Sequence, residues 1–183
     1  MRNYLMRISV CVAVLLCTGC KSQEPPKESE YRMTSPIRQI MGSMVMSNAD
    51  VLWSSVSSNV TDKGIEEKAP KTEEDWKIVR SSAVTIMEAS DLILIPGRHV
   101  AAPGEKEQDP NVNLSPEKIE ALINADRTSW VKMAHDLHDS ILPALKAIDA
   151  KDAMALSDAG AAIDKACEDC HLKYWYPKDV GKK

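Results

Sequence analysis

The sequence predicts an all-α protein, an antiparallel four-helix bundle, on three observations. Four segments carry apolar residues at the 3.6-residue spacing of an amphipathic helix. Two short turns and one long connection join these segments, which is typical of antiparallel neighbours in a bundle. No segment shows a convincing alternation of apolar and polar residues, so no strand is predicted. The bundle is expected over residues 36–177.

The first helix is predicted from Pro36 to about Val60. Proline suits a first helical turn because its missing N–H would be unpaired there in any case, and Ser35 is the expected cap. Apolar residues then recur at helical spacing. Residues 61–71 contain one glycine and one proline, and they are expected to end the helix.

The second helix is predicted to begin after Thr72. The Thr72 hydroxyl and the Asp75 carboxyl are three residues apart, which is the spacing of a reciprocal cap on a first turn. An apolar stripe follows, and Pro96-Gly97 is expected to end the helix. Residues 96–115 form the longest connection, and a loop of this length is either functional or mobile.

The third and fourth helices follow this connection. Ser115-Pro116 opens a third helical region that continues to Ile148, and Pro143 is expected to kink it or to mark a local irregularity. A tight turn at residues 149–152 leads into the fourth helix, which reaches Tyr174. The apolar stripe of that helix contains Leu156, Ala159, Ile163, Ala166, Cys167, Cys170 and Tyr174.

The last helix carries the pentapeptide Cys167-Glu168-Asp169-Cys170-His171 near its end. C-x-x-C-H is the attachment motif of a c-type haem, in which two thiols add to the vinyl groups and the adjacent histidine ligates the iron. On a helix, residues i, i+3 and i+4 lie side by side, so Cys167, Cys170 and His171 can converge on one macrocycle. The alternative is a Cys167–Cys170 disulfide or a chance match.

The two ends of the chain lie outside the predicted bundle. A short apolar stretch follows two arginines at the N-terminus, and Thr18-Gly19-Cys20 resembles the end of a bacterial lipoprotein signal. Residues 1–19 are therefore the predicted signal peptide and Cys20 the lipidated residue, the alternative being an ordinary signal with an incidental cysteine. Residues 20–35 are polar and predict a flexible tether, and residues 178–183 form a tail.

Composition narrows the classes of function. Removing the predicted signal takes Arg2 and Arg7 from the 23 basic residues, which leaves 21 against 27 acidic residues and a net charge of −6. This acidic balance argues against a nucleic-acid partner. Only Cys167 and Cys170 remain besides Cys20, too few for a disulfide framework or a cysteine-rich zinc site. No hydrolase or phosphate-loop motif is present, so the chain is not predicted to be an enzyme.

A four-helix bundle with C-x-x-C-H near its C-terminus resembles the class II c-type cytochromes, the cytochrome c′ group and its methionine-ligated relatives. Cys167, Cys170, His171 and Tyr174 carry this resemblance, because members commonly continue C-x-x-C-H-x-x-Y. The resemblance implies one covalent haem c on the C-terminal helix and a distal haem residue on the first helix. It also implies a possible homodimer through the first two helices.

The sixth iron ligand stays open at the level of sequence. The resemblance places the distal residue on the first helix, where Met41 is preferred to Met44, and a thioether ligand raises the haem potential. Relatives tend to carry an arginine four residues before the distal residue, whereas Arg38 precedes Met41 by three residues and Gly42 by four. Methionines at helical spacing also fill cores. Without a methionine ligand, the iron is five-coordinate and open to small gases.

Other polar residues are further candidates for the site. Arg38, and less so Arg98, is an expected partner of the haem propionates because guanidinium binds carboxylates bidentately. Each is also an ordinary surface arginine at a helix end. His99 either approaches the haem edge or is exposed in the long connection. His135 and His138 either begin a metal site or belong to a solvated face.

These observations predict an exported haem c protein that transfers electrons to or from a redox partner protein. It is expected on the periplasmic side of a bacterial membrane, which it contacts through a lipid anchor. One alternative is a five-coordinate haem protein that binds or senses small gases. The other is a haem-free structural lipoprotein with a Cys167–Cys170 disulfide.

Overall fold

The computed structural model describes residues 30–177, and residues 31–177 of these lie in one compact unit. The predicted signal peptide (1–19), the lipidation site Cys20 and the tail (178–183) lie outside the described residues, as does most of the predicted tether. Helices make up most of the described chain, and its strands form one short hairpin. The predicted helical class is therefore confirmed, with this hairpin as an addition.

The helices and strands follow one another in a simple order. Their bounds are α1 (Ile37–Ile40), a π-helical turn (Met41–Met46), α2 (Ser47–Ser55), β1 (Ser57–Thr61), β2 (Gly64–Lys68), α3 (Glu73–Leu92), α4 (Pro116–Ala125), α5 (Arg127–Ala150) and α6 (Ala153–Tyr174). Strands β1 and β2 pair antiparallel, with Val60 opposite Ile65. Between residues 30 and 177, no helix is both long enough and apolar enough to cross a membrane.

The hairpin replaces the end of the first predicted helix. Helix α2 stops at Ser55, and Val56 is extended, with φ −130° and ψ 138°. The prediction of a helix to Val60 and of no strand was therefore wrong. The β-branched residues Val60 and Thr61 favour a strand, and the chain turns at residues 62–63. Gly64 then opens β2 with a φ of 119°, which residues with a side chain rarely adopt.

Two further boundaries differ from the sequence prediction. Helix α1 begins after Pro36, which occupies the cap position in an extended conformation, so Ser35 is not the cap. Helix α3 ends at Leu92, four residues before Pro96. The Arg98 Nε atom donates a hydrogen bond to the Leu92 carbonyl at 2.9 Å. The Leu92 carbonyl also accepts from the Ile95 amide at 3.3 Å, so the groups at this helix end are paired before the apolar pattern stops.

The third predicted helical region is two helices that meet at Asp126. Asp126 takes φ −135° and ψ 66°, its amide bonds to the Leu122 carbonyl at the end of α4, and its carboxylate accepts from the Ser129 amide of α5 at 3.1 Å. Helix α5 continues through Pro143, which is exposed. Pro143 therefore does not end the helix, and the sequence prediction missed the break at Asp126, where the side chain caps a new helix.

Two predicted helix starts are confirmed. At the start of α3, the Asp75 amide donates to Thr72 Oγ1 at 3.1 Å, and the Thr72 amide donates to the Asp75 carboxylate at 2.9 Å. At the start of α6, the Asp152 carboxylate accepts from the Ala155 amide at 3.0 Å. Lys151, in the left-handed conformation, makes the tight turn before it.

Ion pairs show how the long helices are arranged. Arg80 near the start of α3 bonds to Asp149 near the end of α5 at 2.8 Å. Asp126 at the start of α5 bonds to Lys173 near the end of α6 at 2.7 Å. Helix α5 therefore runs antiparallel to both α3 and α6. The largest side chains buried among them are Trp130, Tyr174, Ile37, Ile86, Ile119, Ile141 and Ile163.

Candidate cofactor site

Helix α6 presents the C-x-x-C-H motif on its inner face. Ile163, one turn before the motif, and Tyr174, one turn after it, are fully buried. Cys167, Cys170 and His171 lie between them and are half-buried. Both cysteines are free thiols. The helical spacing that buries Ile163 and Tyr174 therefore also turns the three motif side chains toward the protein interior, as the sequence predicted.

An open cavity of about 380 Å³ lies beside the motif, and we call it the outer cavity. Pockets that hold small molecules and cofactors measure about 300–1,000 Å³. Helix α6 lines one side with Cys167, Glu168 and His171, and the first helical segment lines the other with Arg38 and Met41. The rest of the wall is Gly42, Val45, Met46, Ala49, Trp53, Gln108, Asn113, Asp164, Trp175 and Tyr176.

A second and much smaller cavity, the inner cavity, measures about 20 Å³. Cys170 lines only this cavity, together with residues of α5 such as Trp130. Met41, Cys167 and His171 line both cavities. The two thiols, the imidazole and one thioether are thus gathered around two adjoining spaces. Sequence reasoning named all four of these residues.

Burial sets the protonation of the motif side chains. It raises the pKa of Cys167 to about 11, with the Asp164 charge as a smaller cause, and that of Cys170 to about 12. Burial also lowers the pKa of His171, against the opposing charge of Glu168. At neutral pH, the site therefore holds two protonated thiols and a neutral imidazole, and neutral imidazole is the form that binds metals.

Two aromatic residues after the motif hold the imidazole of His171. Its ring centroid is 5.9 Å from that of Trp175 and 5.7 Å from that of Tyr176. The amides of Trp175 and Tyr176 both donate to the His171 carbonyl, at 2.8 and 3.0 Å. The Tyr176 hydroxyl donates to Glu168 at 2.6 Å. Sequence reasoning assigned no role to Tyr176 or Glu168, although the aromatic run after the motif was a signal for it.

The π-helical turn shapes the opposite wall. Met41 and Met46 both line the outer cavity, whereas Met44 packs against the core and lines neither cavity. This placement agrees with the preference for Met41 over Met44. Sequence reasoning missed Met46, because residues five apart lie about 140° apart on a regular α-helix. Gly42 also lines the cavity, and a Cβ atom there would meet nothing within 4 Å.

The two candidate arginines lie in different places. Arg38 lines the outer cavity, and its Nη1 atom donates to the Lys106 carbonyl at 2.7 Å. Arg98 donates instead to the carbonyls of Leu92 and Ser35, and it is not among the residues that line the two cavities. Only Arg38 is therefore placed to meet an anionic group in the outer cavity.

The three candidate histidines also lie away from both cavities. His99 Nδ1 is 3.0 Å from Glu120 and borders a separate, open surface depression. His138 is 3.0 Å from Asp139, and His135 is exposed. Within residues 30–177, no group of three or more His, Cys, Asp or Glu side chains is arranged to hold a metal ion. His135 and His138 thus lie on a polar face without a third ligand.

The residues at the site fit a covalently attached haem. Two thiols, an imidazole, a thioether and a guanidinium surround the two cavities, which is a donor set suited to haem c. Trp130 is 1% exposed and lines the inner cavity, and its indole N–H finds no hydrogen-bond acceptor in the described part of the chain. A buried donor without a partner is costly, and the inner cavity has room for about one water molecule that would accept from it.

No family model, curated protein or solved structure matches this chain.

Proposed function

We propose that this chain is an electron-transfer protein that carries one haem c, bonded through Cys167 and Cys170. The observation that carries the proposal is the C-x-x-C-H motif, whose half-buried side chains border two adjoining cavities with Met41 on the opposite wall. Bound haem supplies a one-electron iron couple. The protein's part is to set the potential of the iron and the access of water and partners to it.

The proposed architecture is a four-helix bundle with the haem on its last helix. The first segment, Ile37–Ser55, is one member, and α3, α5 and α6 are the others. The ion pairs Arg80–Asp149 and Asp126–Lys173 support antiparallel neighbours. Helix α4 is an additional short helix that precedes α5.

Each residue of the site has a proposed role. His171 is the proximal ligand, and its neutral imidazole is oriented by the rings of Trp175 and Tyr176. Met41 is the sixth ligand, and its thioether favours the reduced iron and so raises the potential. Arg38, which lines the outer cavity, would pair with a propionate.

The proposed setting follows from the sequence. Export and lipidation at Cys20 would tether the domain to the periplasmic side of a bacterial membrane through residues 20–35. The partner is a redox protein, and the net charge of the chain disfavours nucleic acid. Homodimer formation stays a prediction of the family resemblance.

Expression in a host with haem c maturation tests the proposal. We expect a pyridine haemochrome spectrum of the c type and a haem-sized mass increase that survives denaturation. Replacing both Cys167 and Cys170 with serine should abolish the adduct, whereas Ser157→Ala, at an exposed position of the same helix, should keep it. A colourless wild-type protein with free or bridged thiols would overturn the proposal and favour the haem-free lipoprotein.

A second candidate function is the binding of small gases at five-coordinate iron. The observation that favours it is Gly42, which leaves open space on the wall of the outer cavity next to Met41. The ferrous protein decides between the two functions. A low-spin spectrum that is unchanged by carbon monoxide supports electron transfer, and a high-spin spectrum that shifts with carbon monoxide supports gas binding.

A further inference from the structure

We propose that Met46 is a second thioether ligand that can replace Met41 at the iron. The inference rests on the proposed function, since it requires haem on Cys167 and Cys170. Its basis is the π-helical turn Met41–Met46, which places both methionine side chains on the wall of the outer cavity, across from His171.

The turn matters because it changes which residues share a face. In a regular α-helix, a residue five positions on lies about 140° around the axis and faces elsewhere. A π-helical turn bonds residue i to residue i+5. Such turns are rare in proteins overall, and those that occur are often found at functional sites. Val45, inside the turn, is buried and anchors it to the core, while Met41 and Met46 on either side both reach the cavity.

The two thioethers differ in exposure. Met41 is half-buried and borders both cavities, whereas Met46 is 47% exposed at the outer cavity alone. Methionine is unbranched and has three rotatable bonds, so an unconfined Met46 can change its reach. Met44 lies between them in sequence but packs against the core. The chain therefore offers one half-buried thioether and one exposed thioether to the same space.

The exchange is chemically simple. One iron–sulfur bond to Met41 breaks as one to Met46 forms, and because both donors are neutral thioethers, no electron or proton is gained or lost. The iron keeps a low-spin, six-coordinate field. The potential falls when Met46 ligates, because this side chain is closer to water and a more solvated site favours the ferric charge.

Leucine variants test the inference on the haem-loaded protein. Met41→Leu should keep a low-spin spectrum and the thioether-to-iron charge-transfer band, with the potential shifted downward. Met46→Leu and the control Met44→Leu should match the wild-type spectrum. The double variant Met41→Leu/Met46→Leu should lose the band, become high-spin and bind carbon monoxide. Met41→Ala repeats the first test if Met41→Leu does not fold.

Each contrary outcome has a distinct meaning. A high-spin Met41→Leu protein, or a low-spin double variant, would show that Met46 does not replace Met41. A high-spin Met46→Leu protein would equally overturn the exchange. These outcomes require the covalent haem mass in every variant, so they leave the proposed function standing. Absence of that mass from the wild type would instead remove the proposed function itself.

Discussion

Truncation of Ile163 tests which face of α6 points inward, and the whole site depends on that face. Ile163 is 1% exposed and lies four residues before Cys167, so the two share one side of the helix. Met154 is nine residues earlier, which is about 180° around the axis, and it is 76% exposed. Ile163→Ala and Met154→Ala therefore probe opposite faces of one helix.

The expected loss follows from the burial of Ile163. The change removes about three carbon groups at about 0.8 kcal/mol each, or about 2.4 kcal/mol. An incompletely filled cavity adds about 24 cal/mol per Å³, so a residual void of about 25 Å³ adds about 0.6 kcal/mol. The free energy of unfolding should fall by about 3 kcal/mol for Ile163→Ala. It should change by less than about 0.5 kcal/mol for Met154→Ala.

Urea unfolding, followed by circular dichroism in matched preparations, measures both values. Equal slopes in the three proteins would confirm that the midpoints report stability rather than a change in compactness. A loss below about 1 kcal/mol for Ile163→Ala, or a loss of similar size for Met154→Ala, would mean that α6 is rotated. Cys167 and Cys170 would then not face the cavities, and the proposed attachment geometry would fail.

Three further predictions concern charge and thiol chemistry. Hydrogen bonds from Lys173 and then Ser129 hold the pKa of Asp126 well below its usual range. The ionised Asp126 carboxylate therefore stabilises the folded chain fully above a pH of about 4, and this contribution is lost as the pH falls. The difference in urea midpoint between the wild type and Asp126→Asn should therefore shrink from pH 6 to pH 3. Because the pKa values of Cys167 and Cys170 are raised, both thiols of the folded, haem-free chain should be alkylated about 100-fold more slowly, or slower still, at pH 8 than in urea. Equal alkylation rates in the folded and the urea-unfolded chain would contradict the burial of these thiols. Burial first, and then the carboxylate of Glu168, raise the pKa of Tyr176 to about 12, so Glu168→Gln should lower that pKa only part of the way, as followed by NMR titration.

Local chemistry decided what the sequence could predict. The cap at Thr72, the tight turn at residues 149–152 and the inward face of α6 depend on residues a few positions apart, and the structure confirms them. The placement of Met41 and Arg38 at the cavity came from the family resemblance, and both residues line it. Each of these features can be predicted once the helix is known, because it depends only on that helix and on one surface packed against it.

The features that sequence reasoning missed depend on competition between structures. Val60 continues a helical pattern, but it pairs instead with Ile65 across the turn at residues 62–63. Met46 lies on the cavity wall with Met41, at the opposite end of a π-helical turn that the sequence did not predict. Neither outcome is visible in hydrophobic spacing, because both depend on hydrogen bonds that compete with the regular α-helical pattern.

The missed break at Asp126 also explains why the end of the motif helix is well held. The Asp126 carboxylate accepts from both the Ser129 amide and Lys173. The backbone carbonyl of Asp126 is 3.4 Å from the Tyr174 hydroxyl. The Leu114 amide, in the long connection, donates to the Trp175 carbonyl at 2.8 Å. Helix ends fray unless their last groups find partners. Here, the last turn of α6 is bonded to two separate segments, so the aromatic residues that orient His171 stay in place.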